Sequence, residues 1–540
     1  MCLKDLLARN KRLELICLYG SAMLTALILV IPQLGLLQWI SMIPMLWAIF
    51  LRSENSARRL RWHYGYGFLV IFAYYFVIYH WFVAMYPLEF AGISPASAVV
   101  VILAGWLGLS LLQALPGGLF FVGFALLNRT GAFKRYPILK PIAFAAVWVV
   151  FEWSSTLAWT GVPWGRLVLG QNELLPVLQI SSLLGSYAVS FLLVLVNGLL
   201  AYCLLYGGRR LACGAVAAGL FFGNLALGLV LMHRDYSGET VRVAVIQGNI
   251  SSHEKWESSS YIKMMQVYGD YTRAAAEEGA GLIVWPETTI TTGLTTSRTM
   301  RDFVTELAAE CNVTILVGAL CYEEGLEYNS LFMVTADGGI AEDRYDKRHL
   351  VPFGEYVPMR QLITTLIPPL AQLTIIESDF IPGADSALFS TPWGDIGSLI
   401  CFDSIYETLT IDSVRDGAEL MVISSNDSWF LDSAAIYQHQ AQARLRTIEC
   451  GKYMLRAANT GISTVMKPNG ELMAWIAPLE DGYAVCDVVF REERTLYSVI
   501  GNLFVFSCLA FCCAIPLTEQ VKKRLSYKKS EYAAMEEPQE

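Results

Sequence analysis

The chain has 540 residues, of which 55% are hydrophobic, 12% aromatic and only 16% charged. Ordinary soluble domains carry roughly 25% charged residues, so part of this chain has a bilayer as its solvent, and the same numbers exclude disordered, collagen-like and disulfide-stapled classes. A net charge of −9 argues against nucleic acid as a partner.

A spanning helix needs about 20 predominantly apolar residues. Seven stretches qualify in the first part of the chain: Leu13 to Ile31, Leu34 to Leu51, Tyr66 to Met85, Ala98 to Leu127, Ile142 to Trp159, Leu178 to Tyr206 and Leu211 to Met232. An eighth runs from Val499 to Leu517. Basic residues cluster before the first span (Lys4, Arg9, Lys11, Arg12) and after the second, fourth, sixth and eighth, as in Arg58, Arg135, Arg210 and Lys523. The alternate short loops are almost free of them, Arg166 being the exception. By the positive-inside rule both termini are expected in the cytoplasm and the long segment before the last span on the outer face. The first span lacks a small-residue cleavage site and is read as retained. The division is then 1–236 for the first seven membrane helices, 237–492 for an outer domain, 493–520 for the eighth helix and 521–540 for a cytoplasmic tail whose acidic end frays.

The outer domain changes character. Strands are expected at Val241 to Ile246, Gly281 to Trp285, Thr314 to Ala319, Asn329 to Thr335, Ile396 to Ile400 and Leu420 to Ser424, with helices at Tyr261 to Glu278, Arg301 to Glu310 and Tyr437 to Cys450. This alternation predicts an α/β layer architecture. The apolar stretch from Met359 to Ile376 contains Pro368-Pro369 and cannot be one regular helix; it reads either as core or as a lid that touches lipid. The 12 Cys show no paired spacing and no Cys/His ligand pattern, and His80, His233, His253 and His439 are scattered, so neither a disulfide framework nor a metal site is expected.

Three segments place a reactive side chain at or beside the end of an apolar strand: Val284-Trp285-Pro286-Glu287, Tyr345-Asp346-Lys347, and Leu399-Ile400-Cys401. Singly, each has a dull explanation as a loop carboxylate, a surface lysine or a core cysteine. Together they supply a thiol acyl-transfer site. Cys401 is the nucleophile and Glu287 accepts its proton, a transfer uphill by about 4 pKa units, or roughly 6 kcal/mol, on reference values. Burial of Glu287 and a neighbouring cation must close that gap. Lys347 fits as the cation, stabilising first the thiolate and then the tetrahedral oxyanion. Only His349 lies near these strand ends, which argues against a Cys/His pair.

These residues resemble the nitrilase superfamily, whose Glu-Lys-Cys triad sits on an α-β-β-α sandwich. Within it the chain is most similar to the apolipoprotein N-acyltransferases, bacterial membrane enzymes that join eight spans to one external nitrilase-like domain. The shared motifs are Val245-Ile246-Gln247-Gly248-Asn249 with Trp256 downstream, Trp285-Pro286-Glu287, Lys347 to Tyr356, Ser425 to Phe430, and Arg456 to Gly461. The resemblance implies Glu287 as base, Lys347 as oxyanion stabiliser, Cys401 as nucleophile and Glu355 as an assisting carboxylate. Trp256 and Trp429 would match aromatics at the substrate entrance, with ordinary packing as the alternative. Two positions depart from the family pattern. Asp403 stands where Glu is usual, one methylene shorter, and Leu431 stands where Gly is commoner.

The implied activity transfers an acyl chain from a phospholipid, through a Cys401 thioester, to the α-amine of the diacylglyceryl-cysteine that begins an apolipoprotein. No cofactor or metal is required, and the implied location is the inner membrane of a bacterium with the catalytic domain on the periplasmic side. The alternative is a membrane-tethered nitrilase or amidase with water as acceptor. A transporter with an accessory domain is disfavoured, because the spans carry little charge beyond Glu152.

Overall fold

The computed structural model describes residues 10–54, 59–88, 94–157, 161–206, 210–251, 254–256, 260–366 and 379–536. The helices α1 (Lys11–Val30), α2 (Pro32–Ser53), α3 (Leu60–Met85) and α4 (Pro95–Asn128) are long and apolar enough to cross a membrane. So are α6 (Ser186–Tyr206) and α7 (Leu211–Met232), which follow the shorter α5 (Leu139–Ser154). At 16 residues, α5 is about 24 Å long, less than a hydrocarbon core of about 30 Å. It need not match that thickness, because every residue from Ala143 to Glu152 is buried by protein rather than lipid. Ala143, Ala145 and Ala146 let neighbouring backbones approach it closely.

The sixth span starts later than the sequence suggests. A short helix at Ser181–Leu184, closed by Gly185 at φ +80, occupies its expected first turns, and another at Leu175–Leu178, opened by Pro176, ends where the span is expected to start. Only after that left-handed break does α6 begin.

The domain between α7 and the last helix contains two sheets, with strands β1 (Thr240–Gln247), β2 (Leu282–Val284), β3 (Ile290–Gly293), β4 (Thr314–Glu323), β5 (Leu326–Val334), β6 (Ile340–Asp346), β7 (Leu388–Thr391), β8 (Gly394–Ile400), β9 (Leu420–Ser425), β10 (Met454–Ala458), β11 (Ser463–Met466), β12 (Leu472–Ile476) and β13 (Gly482–Val489). The first sheet has the order β13-β1-β2-β4-β5-β6, with β3 paired to β4, and the second the order β12-β11-β10-β9-β8-β7. Parallel pairing runs through β1-β2-β4 and β8-β9-β10 in the middle of the two sheets, and the short β3 also pairs with β4 in parallel.

Side chains alternate with period two, as strand geometry requires. Val243, Val245, Leu282, Val284 and Leu316 of the first sheet meet Ile396, Ile400, Leu420, Val422 and Leu455 of the second in one core. On the outer face of the first sheet, Ala244, Ile246, Ile283 and Ile315 pack beneath α8 (Ser260–Glu277) and α9 (Arg298–Cys311). On the outer face of the second, Leu399, Met421, Ile423 and Met454 pack beneath α10 (Glu407–Asp416) and α11 (Ala434–Cys450). The result is the expected α-β-β-α sandwich. Its second helical layer shares a continuous hydrophobic core with the membrane helices, which fixes that face of the sandwich on the bundle.

The last helix, α12 (Leu503–Glu536), is apolar from Leu503 and carries through into the basic end of the chain as one helix. The acidic residues Glu537 and Glu540 lie outside the described residues, as does the apolar stretch expected at Met359 to Ile376 from residue 367 onward. The described start of that stretch forms a short helix, Arg360–Leu366.

Candidate active site

The catalytic candidates converge because each follows the C-terminal end of a strand. Glu287 lies just beyond β2, Lys347 directly after β6, and Cys401 directly after β8. Gly318 on β4 makes the Glu287 turn possible, since a Cβ there would come within 2.4 Å of the Pro286 carbonyl oxygen and 2.8 Å of Glu287 Cα.

Lys347 is 1% exposed and donates from Nζ to Glu287 Oε1 at 2.9 Å and to Glu355 Oε1 at 2.8 Å. Asn329 Nδ2 donates to the same two oxygens, at 2.7 and 2.9 Å. The other oxygen of Glu355 accepts the Val351 N–H at 2.8 Å. One ammonium is therefore held between two carboxylates that a single amide also bridges. Burial works against the Lys347 charge, but Glu287 and Glu355 outweigh it and hold the ammonium well above its ordinary range. Burial pushes the Glu355 carboxyl up, with Glu287 adding to the rise and Lys347 opposing it.

Cys401 has φ +50, a left-handed conformation uncommon for a side chain with a Cβ. Its thiol is pushed far up, first by burial and then by the Glu287 charge, while Lys347 and the Asn426 backbone N–H pull the other way. The Cys401 thiol is thus held in its protonated form at rest and needs a base before it can react as a thiolate.

The two departures from the family pattern acquire physical content. Asp403 is fully buried and accepts hydrogen bonds from the Tyr345 hydroxyl at 2.8 Å, the His349 N–H at 2.7 Å and the Ile400 N–H at 3.2 Å. The shorter side chain thereby ties the Cys401 turn to the segment that carries Lys347. Leu431 has φ +47, the region that favours glycine. Trp429 is half-buried in the turn after β9, and its neighbour Phe430 packs on Trp81 of α3 at 5.1 Å and on Trp164 at 5.8 Å. Trp256 ends a short helical turn, Glu254–Trp256, and its side chain lies outside the described residues.

Two buried groups beside the candidate site do not stand out in the sequence. Lys255 is buried, donates to the Glu287 carbonyl at 2.8 Å and to Thr288 Oγ1 at 2.7 Å, and is pushed down to about 8 by burial against the pull of Glu287 and Cys401. Its position beside the Trp256 motif is the only sequence signal that could have found it. The second is His439 on α11. Its ring lies with Cys401 and Asp427 in a group whose potential ligand atoms are all within 4.8 Å of one another. That trio has ligand chemistry, and Arg456 Nη2, 2.5 Å from Asp427 Oδ2 and 3.3 Å from His439 Nδ1, already sets a cation against its carboxylate.

The chain matches the apolipoprotein N-acyltransferase N-terminal domain family over residues 21–199 and the carbon-nitrogen hydrolase family over residues 242–495. It is 32% identical to the apolipoprotein N-acyltransferase of Geobacter metallireducens, covering 91% of this chain and 92% of that one. It is 31% identical to the enzyme of the same name from Methylococcus capsulatus, over 87% and 89% of the two chains. Among solved structures, a Nesterenkonia AN1 amidase of the nitrilase superfamily aligns with a TM-score of 0.38 and 15% identity, covering 49% of this chain and 96% of that one.

Proposed function

Because the chain belongs to the apolipoprotein N-acyltransferase family, we propose that residues 237–492 form its catalytic unit and that Glu287, Lys347 and Cys401 carry the acyl transfer. The observation that carries this reading is the buried Lys347 ammonium, paired with Glu287 and Glu355 and acting electrostatically on the Cys401 thiol.

In the first half-reaction Cys401 Sγ attacks the ester carbonyl of a phospholipid while Glu287 takes the thiol proton. Lys347 stabilises the oxyanion of the tetrahedral intermediate. The ester C–O bond then breaks, Glu287 returns the proton to the departing oxygen, and a lysophospholipid leaves a thioester on Cys401. In the second half-reaction the α-amine of the diacylglyceryl-cysteine of an apolipoprotein attacks that thioester. Glu287 accepts the amine proton and passes it to the leaving thiolate, which restores the resting enzyme. Amide formation from a thioester is downhill, so the cycle needs no cofactor.

Glu355 and Asn329 hold Glu287 and Lys347 in register, and Trp256 and Trp429 are assigned to the entrance through which lipid reaches Cys401. Both substrates carry acyl chains, and a catalytic layer packed on membrane helices keeps those chains out of water. The asymmetry of Lys and Arg between alternate loops supports an inner-membrane orientation with the catalytic unit on the periplasmic side and both termini in the cytoplasm.

The test is the intact mass of the purified protein after incubation with phospholipid alone. A gain of one acyl chain, lost on addition of a diacylglyceryl-cysteine peptide, is expected. Hydrolysis of small amides without any acyl adduct from phospholipid would overturn the proposal.

A further inference from the structure

A nucleophile in a left-handed turn needs something to hold it there, since a non-glycine residue is strained in such a conformation. At Cys401 the restraint falls on the carbonyl oxygen rather than on the thiol. Ser404 Oγ donates to that oxygen at 2.7 Å, and His439 Nε2 lies 3.1 Å from the oxygen and 3.1 Å from Ser404 Oγ. The three atoms form a closed triangle. Neither ring nitrogen is free to act as base toward the sulfur, because Nδ1 faces Asp427 Oδ1 at 2.8 Å.

The far side of the ring is equally fixed. Asp427 is fully buried and receives Arg456 Nη2 at 2.5 Å and Ser425 Oγ at 3.1 Å. Burial alone would raise its carboxyl, but Arg456 and His439 hold it well below the ordinary carboxylate range. Gly461 gives the carboxylate its space, as a Cβ there would lie 2.1 Å from Asp427 Oδ2. The helix that carries His439 is itself held by the membrane part. Trp164 Nε1 donates to Gln438 Oε1 at 2.6 Å, Gln442 Nε2 donates to the Pro163 carbonyl at 3.0 Å, and Arg444 Nη1 donates to the Asn172 carbonyl at 2.8 Å.

We infer that Asp427 and His439 are positioning residues that hold the Cys401 turn through its carbonyl oxygen, with α11 as the arm that refers the turn to the membrane helices. The inference rests on Cys401 being the nucleophile. A displacement of about 1 Å at a reacting atom costs on the order of 10²-fold in rate, and that is the size of effect the pair has to prevent.

The experiment uses the full chain in detergent with phospholipid as acyl donor, following the rate of acyl-enzyme formation by intact mass at several lipid concentrations. His439→Leu removes every polar contact of the ring, and His439→Gln restores one donor near the Cys401 carbonyl. Expected are a ~10²-fold fall in the limiting rate for His439→Leu, a half-saturating lipid concentration within about threefold of the parent, and recovery to within ~10-fold for His439→Gln. A parent-like rate for folded His439→Leu, or a loss that lies in lipid affinity instead of the limiting rate, overturns the inference. So does a His439→Gln variant that folds and is no faster than His439→Leu. If His439→Leu does not fold, Ser404→Ala decides, since it removes one corner of the triangle; a limiting rate about tenfold lower supports the clamp and a parent-like rate refutes it. Cys401→Ala runs alongside. If that variant still gains an acyl chain, the nucleophile assignment falls and the clamp with it; if it is inert while His439→Leu acylates normally, only the clamp falls.

Discussion

Replacing Glu287 by Gln should push two reactions of the same sulfur in opposite directions. In the resting site the thiol is raised by burial and by the Glu287 charge, and lowered by Lys347. Glu287→Gln removes the charge that raises it and also releases Lys347 from one of its two carboxylate partners, a contact of 2.9 Å. Both changes favour the thiolate. A unit charge within about 4–6 Å moves a neighbour's pKa by roughly 1–3 units, and each unit is tenfold in thiolate at a pH below the pKa. Alkylation of Cys401 by iodoacetamide near neutral pH should therefore accelerate by at least ~10-fold in Glu287→Gln, its rate-against-pH curve moving toward lower pH. Lys347→Met should move that curve the other way. In the proposed mechanism, acylation by phospholipid requires Glu287 to accept the thiol proton and return it to the leaving oxygen, so the same variant should lose ~10²–10⁴ in acyl-enzyme formation. Peptide mass spectrometry at Cys401 reads the alkylation, and intact mass reads the acylation. If Glu287→Gln slows alkylation, Glu287 is not the charge that raises the thiol, and the electrostatic account fails; if it acylates normally, Glu287 is not the base.

Cys401→Ala should abolish the acyl adduct, and Cys401→Ser should come close to doing so because a hydroxyl is harder for a carboxylate to deprotonate. Ala variants of Cys311, Cys321, Cys450 and Cys486 should all retain the adduct. With reactive thiols otherwise removed, a membrane-impermeant thiol reagent on cells permeable at the outer barrier should label Ser297→Cys and spare Ser526→Cys; the reverse pattern would invert the topology. Leu431→Gly should raise Tm modestly, since relief of a left-handed residue of about 1–2 kcal/mol exceeds the glycine's added unfolded-state entropy; a lower Tm would count against strain at that turn. Lys255, pushed down to about 8, has lost its proton in the folded chain between roughly pH 8 and pH 10.5 while the unfolded chain still holds it, so stability should rise with pH across that window. The Tm of the parent should therefore rise relative to that of Lys255→Met across this window, by a stability difference of up to about 3 kcal/mol; a difference constant with pH would contradict the burial of a costly charge.

What could be read in the sequence is what local patterning encodes. Val241 to Ile246 is a near-continuous apolar run because β1 is covered on both faces, by the second sheet and by α8. Glu287, Lys347 and Cys401 stand out because each follows such a run or adjoins it. The span Ile142 to Trp159 was visible as apolar, but not that its helix is short and enclosed, since enclosure is set by the helices around it. Lys255 looks like a surface residue in the series Glu254-Lys255, and only a carbonyl 32 positions away makes it a buried one. His439 was lost for a related reason. The helix α11 reads Tyr-Gln-His-Gln-Ala-Gln-Ala-Arg from Tyr437, yet His439, Gln440, Gln442 and Arg446 are all buried. A helix pressed between a sheet and a membrane bundle has no solvent face, so the contrast that usually marks the inner side of a helix is absent.

That polar, buried helix bears on why the catalytic layer is tied to the membrane as it is. Glu407 of α10 accepts from the Tyr187 hydroxyl of α6 at 2.9 Å and lies 3.7 Å from both Arg166 and Arg446, while Ser186 N donates to Glu449 at 2.9 Å. Arg166 is thus the exception to the basic-residue asymmetry because it serves this junction rather than the loop's orientation. Buried ion pairs return little net stability once the cost of removing each charge from water is counted, whereas removing one partner alone is costly. Apolar contacts would hold the two parts together at many rotations of similar energy. Directional bonds from Trp164, Arg166 and Tyr187 to residues on α10 and α11 select one rotation, and α11 carries His439 to the Cys401 carbonyl. The geometry that aligns the sandwich on the bundle therefore also sets the position of the Cys401 turn, which on the proposed assignment of Cys401 is the position of the reacting sulfur.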